Sequence, residues 1–249
     1  MYALLVDKSA ATCKEMFSVV KDRVTVSPLT VQTDFEVGLF GAIAETWPEC
    51  TLYGCYFHLK QNIWRHIQTC GLVQAYRDLE SPIRQYCKLL VCLAFLPLTD
   101  VVEAFETIQT KAPKECVPLY RYFEENYIGN RNRGRSLRPR KDPMFALTQW
   151  NVRERTMEDM PRTSNNVEGW HNGFTGMIKK HPHLLALIDA IKTEQTNMEH
   201  NHVRLSTGLV HKRKKKWVEI EERIVALVTD YKKDNLEEWL RRLSLMIQY

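Results

Sequence analysis

The segment that decides the fold class is residues 29–57, which read LTVQTDFEVGLFGAIAETWPECTLYGCYF. Strand-forming residues over Leu29–Thr33 lead directly into Asp34. Apolar residues then recur at helical spacing until Pro48 stops the helix, and a further strand follows over Thr51–Phe57. This strand–helix–strand order implies parallel pairing, and ligands of parallel sheets bind beyond the carboxyl ends of the strands. Asp34 therefore stands at a candidate binding edge, although on local grounds it could equally cap the following helix.

The flanking residues extend this pattern into a lopsided architecture. An apolar run over residues 2–6 predicts an earlier strand, and Ser9 can cap a helix between the two strands. From His58 onward the apolar periodicity is helical, interrupted at Gly129–Pro143 by an Arg-, Gly- and Pro-rich segment that predicts an exposed loop. We expect an α/β fold with a thin parallel sheet, an exposed sheet edge and a large helical part.

A second informative stretch is residues 161–174, which read PRTSNNVEGWHNGF. Three good N-cap residues predict a helix start at Thr163–Asn165, and Glu168 and His171 then share a neighbouring face of the helix. The apolar stripe of this helix comprises Val167, Trp170, Phe174, Met177 and Ile178. Glu168 is either a carboxylate held beside a cleft or an ordinary first-turn acid favoured by the helix dipole.

Composition limits the class of protein. The chain has 249 residues and 44% apolar content, enough to fill a core. No run approaches the ~18 apolar residues of a membrane span, and the first residues lack the features of a signal peptide. Seven thinly spread cysteines indicate free thiols in a reducing compartment. We therefore expect no membrane partner and no disulfide framework.

The net charge of +5 is unevenly distributed. One basic cluster consists of Arg131, Arg133, Arg135, Arg138, Arg140 and Lys141. A second consists of Lys212, Arg213, Lys214, Lys215 and Lys216. Such clusters suit a polyanion such as DNA or RNA, or a nuclear import receptor, and they are equally typical of a solvated loop and a solvated helix start.

Asp34 and Glu168 are the candidate metal ligands. Carboxylate oxygens on a strand end and a helix suit Mg²⁺ or Mn²⁺, and a pair of such ions can activate the attacking and leaving oxygens in phosphoryl transfer. Two-metal sites normally use three or more carboxylates, and spacing alone does not bring these two together.

Cys55, His58, His66 and Cys70 offer an alternative metal site of the form C-x2-H-x7-H-x3-C. Thiolate and imidazole ligands are acceptable to Zn²⁺. The spacer is short for a zinc finger, and the apolar helical face that begins at Leu59 assigns the same segment to a core.

Four short motifs occur in order along the chain: TDFE at 33–36, GCYFHLKQ at 54–61, WNV at 150–152 and RTSNNVEGWH at 162–171. Together they resemble the catalytic domain of Mutator-like element transposases, in the domesticated form found in animal genomes. The resemblance runs from about residue 2 to about residue 205.

The resemblance implies a ribonuclease-H-like fold with a helical insertion before the last acidic residue. It also implies an Asp-Asp-Glu triad that binds two Mg²⁺ or Mn²⁺ ions for DNA cleavage and strand transfer. Asp34 matches the second Asp and Glu168 the Glu, while Cys55 and His58 match a Cys-x-x-His motif that helps to arrange the site. The family's first Asp lies on an earlier strand, and Asp7 does not replace it. We therefore expect a core that is incomplete at its N-terminus and catalytically inactive.

The resemblance divides the chain into four parts. They are a partial core at 1–57, a helical insertion at 58–160 with a basic loop at 129–143, a core-completing helix pair at 161–205, and a basic run with a C-terminal helix at 206–249. The expected partner is DNA, the expected location is the nucleus, and self-association into a homo-oligomer is open. The alternatives are a non-enzymatic nucleic-acid-binding protein and a remnant that folds poorly.

Overall fold

The computed structural model describes residues 3–7, 9–132, 140–163, 165–178, 181–208 and 215–247, without the side chains of Asn165, Asn166 and Glu168. The described chain is mostly helical and contains a small parallel sheet. The strands are β1 (Thr30–Thr33) and β2 (Thr51–Gly54). The helices are α1 (Ala10–Lys21), α2 (Val37–Thr46), α3 (Tyr56–Thr69), α4 (Val73–Arg77), α5 (Pro82–Cys92), α6 (Leu98–Lys111), α7 (Val117–Phe123), α8 (Leu147–Trp150), α9 (Arg153–Met157), α10 (Asn165–Met177), α11 (Leu184–Ser206), α12 (Lys215–Thr229) and α13 (Leu236–Met246). Among the described helices, none is both long and apolar enough to cross a membrane.

The strand–helix–strand unit is confirmed. β1 and β2 pair in parallel, with Thr30 opposite Thr51 and Thr33 opposite Gly54, and α2 connects them. α1 packs against α2, where the rings of Phe17 and Trp47 meet edge to face at 5.6 Å. Within the described residues the sheet has only these two strands, and β2 ends earlier than predicted because α3 begins at Tyr56.

The predicted strand over residues 2–6 is wrong for its described part. Residues 3–7 form no regular element, and Leu4 and Val6 are 75% and 94% exposed. The chain instead enters α1, because the Asp7 carboxylate accepts hydrogen bonds from the Ser9 N–H (2.8 Å) and the Thr12 hydroxyl (2.7 Å). Ser9 caps α1 as predicted, accepting a hydrogen bond from the Thr12 N–H at 3.2 Å.

A buried cluster unites the helices with the sheet. It extends from Phe40 in α2 to Ile247 after α13. α3 contributes Leu59, Ile63 and Ile67, each fully buried, as its apolar periodicity predicts. The large fully buried side chains include Trp150, Tyr120, Tyr127, Phe95, Phe105 and Phe123. The helical part and the C-terminal part therefore share one core with α2, while the predicted four-part division stays a prediction.

The prediction of one C-terminal helix within residues 206–249 is wrong. The chain forms α12 and α13 with a turn between them. Trp239 on α13 packs edge to face on Tyr231 at 5.1 Å, and its indole N–H donates to the Leu227 carbonyl at 2.7 Å. The apolar spacing of one long helix fits two shorter ones equally well, and only the packing of Trp239 back onto α12 distinguishes them.

The helix predicted to follow Thr163–Asn165 is present as α10, but its apolar stripe is not buried. Val167 and Met177 are 54% and 47% exposed. The Trp170 indole N–H donates to the carboxylate of Glu194 on α11 at 2.6 Å, which joins the two helices. α10 and α11 thus form a pair that lies outside the main core.

We expect Ile63→Ala to lower the free energy of unfolding by about 2–5 kcal/mol, because it leaves a cavity in the fully buried face of α3. Leu79, which is 76% exposed, provides the control: Leu79→Ala should change stability by less than about 0.5 kcal/mol. Urea denaturation followed by tryptophan fluorescence measures both values. Equal effects of the two substitutions would contradict the assignment of the core.

Candidate functional site

The two strands deliver Asp34 and Cys55 to the same edge of the sheet. Thr33 lies opposite Gly54, so the next residues leave β1 and β2 side by side. The Cys55 N–H donates to the Thr33 carbonyl at 2.7 Å and extends the parallel ladder by one bond. Asp34 therefore stands beside the start of α3, at the edge where parallel sheets bind ligands.

A cavity of about 230 Å³ opens at this edge. Its lining residues are Asp34, Phe35, Glu36, His58, Gln61, Asn62 and Arg65. The fold thus brings together Asp34 and His58, two of the residues selected from the sequence. It adds Glu36, Gln61, Asn62 and Arg65, which the sequence reasoning missed. Helical spacing could have identified three of them, because Gln61, Asn62 and Arg65 lie on the same helical face as His58.

Asp34 is half-buried and held by its neighbours. The Thr33 hydroxyl donates to a carboxylate oxygen of Asp34 at 3.3 Å, and the Asp34 carbonyl accepts the Glu36 N–H at 2.9 Å. These bonds hold the chain after β1, where Asp34 lines the cavity.

Phe35 anchors the strand end in the core. Its ring lies 4.9 Å from that of Phe145 and 5.7 Å from that of Tyr127, both edge to face. The same ring covers Gly54, where an added Cβ would lie 2.2 Å from the Phe35 Cζ. Because Gly54 has no side chain, the Phe35 ring can pack against the end of β2. The packed ring in turn holds the neighbouring residue Asp34 in place.

Arg155 binds both strands from within the protein. This residue is 2% exposed, and its guanidinium donates to Gln32 Oε1 at 3.2 Å and to the Gly54 carbonyl at 3.3 Å. It also stacks over the Tyr53 ring at 4.4 Å. Burial lowers the pKa of Arg155 to about 10, so the side chain stays protonated near neutral pH. The buried cation joins Gln32 of β1 to Gly54 of β2 just before both chains enter the site.

Cys55 does not line the cavity. Its side chain is fully buried at the N-cap position of α3, one turn away from His58. The two residues of the Cys-x-x-His motif therefore lie in different environments. His58 faces the cavity, whereas Cys55 packs behind it.

Glu168 lies on α10, as predicted, but its side chain lies outside what the structure describes. The approach of its helix is described. The Arg162 carbonyl accepts the Tyr56 N–H at 2.9 Å, and the Arg162 guanidinium donates to Glu221 on α12 and to the Thr156 hydroxyl. The chain that leads into α10 is thus tied to the first residue of α3. The meeting of Glu168 with Asp34 stays a prediction.

The first basic cluster divides into buried and exposed cations. The Arg140 guanidinium, 9% exposed, donates to Glu106 at 2.7 Å, to Glu124 at 2.6 Å and to the Gly129 carbonyl at 2.6 Å. This hydrogen bond from Arg140 holds the pKa of Glu106 below its usual value. Arg131, on the paired backbone opposite, also reaches Glu106 but remains 66% exposed. The segment 129–143, predicted as an exposed loop, is exposed at Asn130, Arg131, Lys141 and Asp142, whereas Gly129 is buried and Arg140 is half-buried; residues 133–139 lie outside the described chain.

The other predicted DNA-contacting cations are exposed or undescribed. Lys141 is exposed, and so are Lys215 and Lys216 at the start of α12. Those outside the described residues are Arg133, Arg135, Arg138, Lys212, Arg213 and Lys214.

The four residues of the alternative zinc site do not lie together. Cys55 and His58 lie at the start of α3, and His66 and Cys70 lie at its end. The His66 ring stacks on Tyr122 at 3.4 Å between centroids, and burial lowers the pKa of His66. Among the described residues there is no group of three or more His, Cys, Asp or Glu side chains that could hold a metal ion.

Comparison of the chain with protein-family models, curated proteins and solved structures finds no match.

We expect Gly54→Ala to destabilise the protein by about 1–3 kcal/mol, because the new methyl group overlaps the packed ring of Phe35. Gly41, in the middle of α2, provides the matched control. An added Cβ there meets nothing within 4 Å, so Gly41→Ala should stabilise by about 0.4–1 kcal/mol. Chemical denaturation measures both, and wild-type stability of Gly54→Ala would show that the ring is not confined.

We expect Arg140→Gln to lower stability by about 2 kcal/mol, because Glu124 loses its ion pair and Glu106 keeps only the one with the exposed Arg131. The neighbouring Lys141→Gln should change stability by less than about 0.5 kcal/mol, since Lys141 is exposed. Thermal denaturation compares the two variants. A stable Arg140→Gln protein would mean that this guanidinium is available for other partners.

Proposed function

We propose that this chain is a DNA-binding protein of Mutator-like element transposase lineage, with a ribonuclease-H-like core around β1 and β2. The observation that carries the proposal is that Asp34 and His58 line one cavity at the carboxyl edge of the parallel strands. These are the residues that the resemblance names as a metal ligand and as a residue that arranges the site. They are far enough apart in sequence that nothing but the fold brings them together.

Asp34 and Glu168 are the residues that would hold Mg²⁺ or Mn²⁺. The oxygen donors of Asp34 suit either ion, since both prefer carboxylate and water ligands. When bound, the ion would polarise a phosphodiester and activate an attacking oxygen. In this proposal His58 hydrogen-bonds and orients the DNA strand at the cavity, and Phe35 keeps the Asp34 backbone fixed.

Exposed cations would bind the DNA backbone. The proposal assigns this role to Arg131, Lys141, Lys215 and Lys216, together with the undescribed members of both basic clusters. Phosphate neutralisation by such side chains gives affinity that falls steeply with salt. A nuclear location follows from the DNA partner.

Residues 1–249 supply matches for two of the three triad carboxylates, so we expect DNA binding without cleavage from this polypeptide. The second candidate is a non-enzymatic DNA-binding protein in which Asp34 and Glu168 have no metal-binding role. The exposure of Lys141, Lys215 and Lys216 favours it, because these cations can bind phosphate without a metal ion.

The test combines two assays on the purified chain. We expect fluorescence anisotropy to show duplex DNA binding that Mn²⁺ tightens, because the ion bridges carboxylate and phosphate. That tightening should be lost in Asp34→Asn and in Glu168→Gln. Asp230→Asn, which removes an exposed acid outside the cavity, should retain it. A supercoiled plasmid should not be nicked in Mn²⁺.

Each other result selects a different reading. Binding that depends on salt but not on Mn²⁺ or on either carboxylate would favour the non-enzymatic protein. Nicking that is lost in Glu168→Gln would contradict the expected inactivity. Absence of DNA binding at low salt would contradict both candidates.

A further inference from the structure

α3 has two faces of opposite character. Leu59, Ile63 and Ile67 are fully buried and fasten the helix to the core. The residues that line the cavity are His58, Gln61, Asn62 and Arg65, at positions i, i+3, i+4 and i+7. The cavity wall is therefore a straight polar stripe of two helical turns on a helix that cannot rotate.

Arg65 differs from the other arginines near the site. Arg155 and Arg162 donate to protein carbonyl and carboxylate groups and are largely buried. Arg65 is exposed at the cavity, and among the described residues its guanidinium makes no hydrogen bond or ion pair. An arginine that lines a cavity and has no such intramolecular partner is available to bind an external anion.

We propose that the polar face of α3 is a DNA-binding wall on which Arg65 binds a backbone phosphate of the strand that enters the cavity at Asp34. This inference rests on the proposed function and adds a substrate-binding residue to it. Seven residues of helix separate His58 from Arg65 by ~10 Å along the axis. Arg65 would therefore contact a different phosphate of the same strand from the one at Asp34.

The two amides between these residues complete the wall. The Asn62 Nδ2 donates to the Tyr127 hydroxyl at 3.3 Å, which fixes this side chain against the core. Gln61 lines the cavity from the same face and offers a donor and an acceptor to the strand. Asp34 can bind an anion only through a bridging metal ion, whereas Arg65 can bind one directly, so a ligand that carries several anions could use both residues. A polynucleotide backbone is such a ligand.

The test is a salt titration of duplex DNA binding by fluorescence anisotropy, performed at one fixed Mn²⁺ concentration so that the contribution of Asp34 is the same for every variant. Arg65→Gln should weaken binding about tenfold at low salt, as expected for loss of a charge-assisted contact. It should also reduce the slope of log K against log salt by about 0.9, the contribution of one phosphate contact. Arg65→Lys should keep the wild-type slope because it keeps the charge. Arg77→Gln, at an exposed arginine on α4 outside the cavity, is the matched control and should match the wild type.

Thermal denaturation shows whether each variant is folded; all three substitutions are at exposed positions. Equal effects of Arg65→Gln and Arg77→Gln would overturn the inference while leaving DNA binding, and so the proposed function, intact. If Arg65→Lys reduced the slope of log K against log salt as much as Arg65→Gln, the assignment of a phosphate contact would be overturned. Failure of the wild-type chain to bind DNA would overturn the proposed function and this inference together.

Discussion

A buried guanidinium holds the small sheet together, and the site depends on it. Two strands alone are marginal in water, because they leave backbone groups unpaired and bury little apolar surface. Arg155 compensates by donating to Gln32 and to the Gly54 carbonyl while stacking on Tyr53. Burying a cation is costly unless hydrogen bonds and aromatic contact replace its hydration. Here those contacts fix the strands in the register that places Asp34 beside the start of α3.

The helical part supports the same edge from the other side. Phe35 inserts between Phe145, Tyr127 and Phe40, so the backbone around Asp34 moves only if this aromatic cluster moves. Tyr127 in turn accepts the Trp150 indole N–H on its carbonyl at 3.0 Å and binds Asn62 through its hydroxyl. The cavity is therefore built from groups far apart in sequence, all held by one core. A site of this kind is preorganised, because its walls are packed before any ligand arrives.

Positive charge in this protein has two separate uses. Arg140, Arg155 and Arg162 form internal bonds that connect helices, strands and loops, so these guanidinium groups are already occupied. Lys141, Lys215 and Lys216 remain in solvent. Arg140 and Lys141 are adjacent in sequence and differ completely in this respect, so a count of basic residues overestimates the surface available to a polyanion.

Local pattern alone predicted much of the fold. The alternation of strand formers, apolar helical spacing and Pro48 specified the β1–α2–β2 unit, and spacing specified the buried face of α3 and the starts of α1 and α10. These features depend on neighbours within a few residues, which sequence records directly. The local sequence pattern gave wrong predictions where burial depends on residues that are distant in the chain. Residues 3–6 are apolar enough for a strand, but the described part of the chain pairs no strand with them, and the apolar stripe of α10 is half-buried or exposed rather than buried.

The candidate site shows the same division. The sequence predicted Asp34 at a strand end, the Cys-x-x-His spacing and the position of Glu168 on a helix, because each follows from local periodicity. Tertiary structure alone decided that His58 faces the cavity while Cys55 is buried, that Arg140 is internal and Lys141 is not, and that Arg65 lines the same cavity as Asp34. Residue type determines what a side chain can bind. Packing between elements distant in the chain determines whether water, a ligand or the protein itself occupies that capacity.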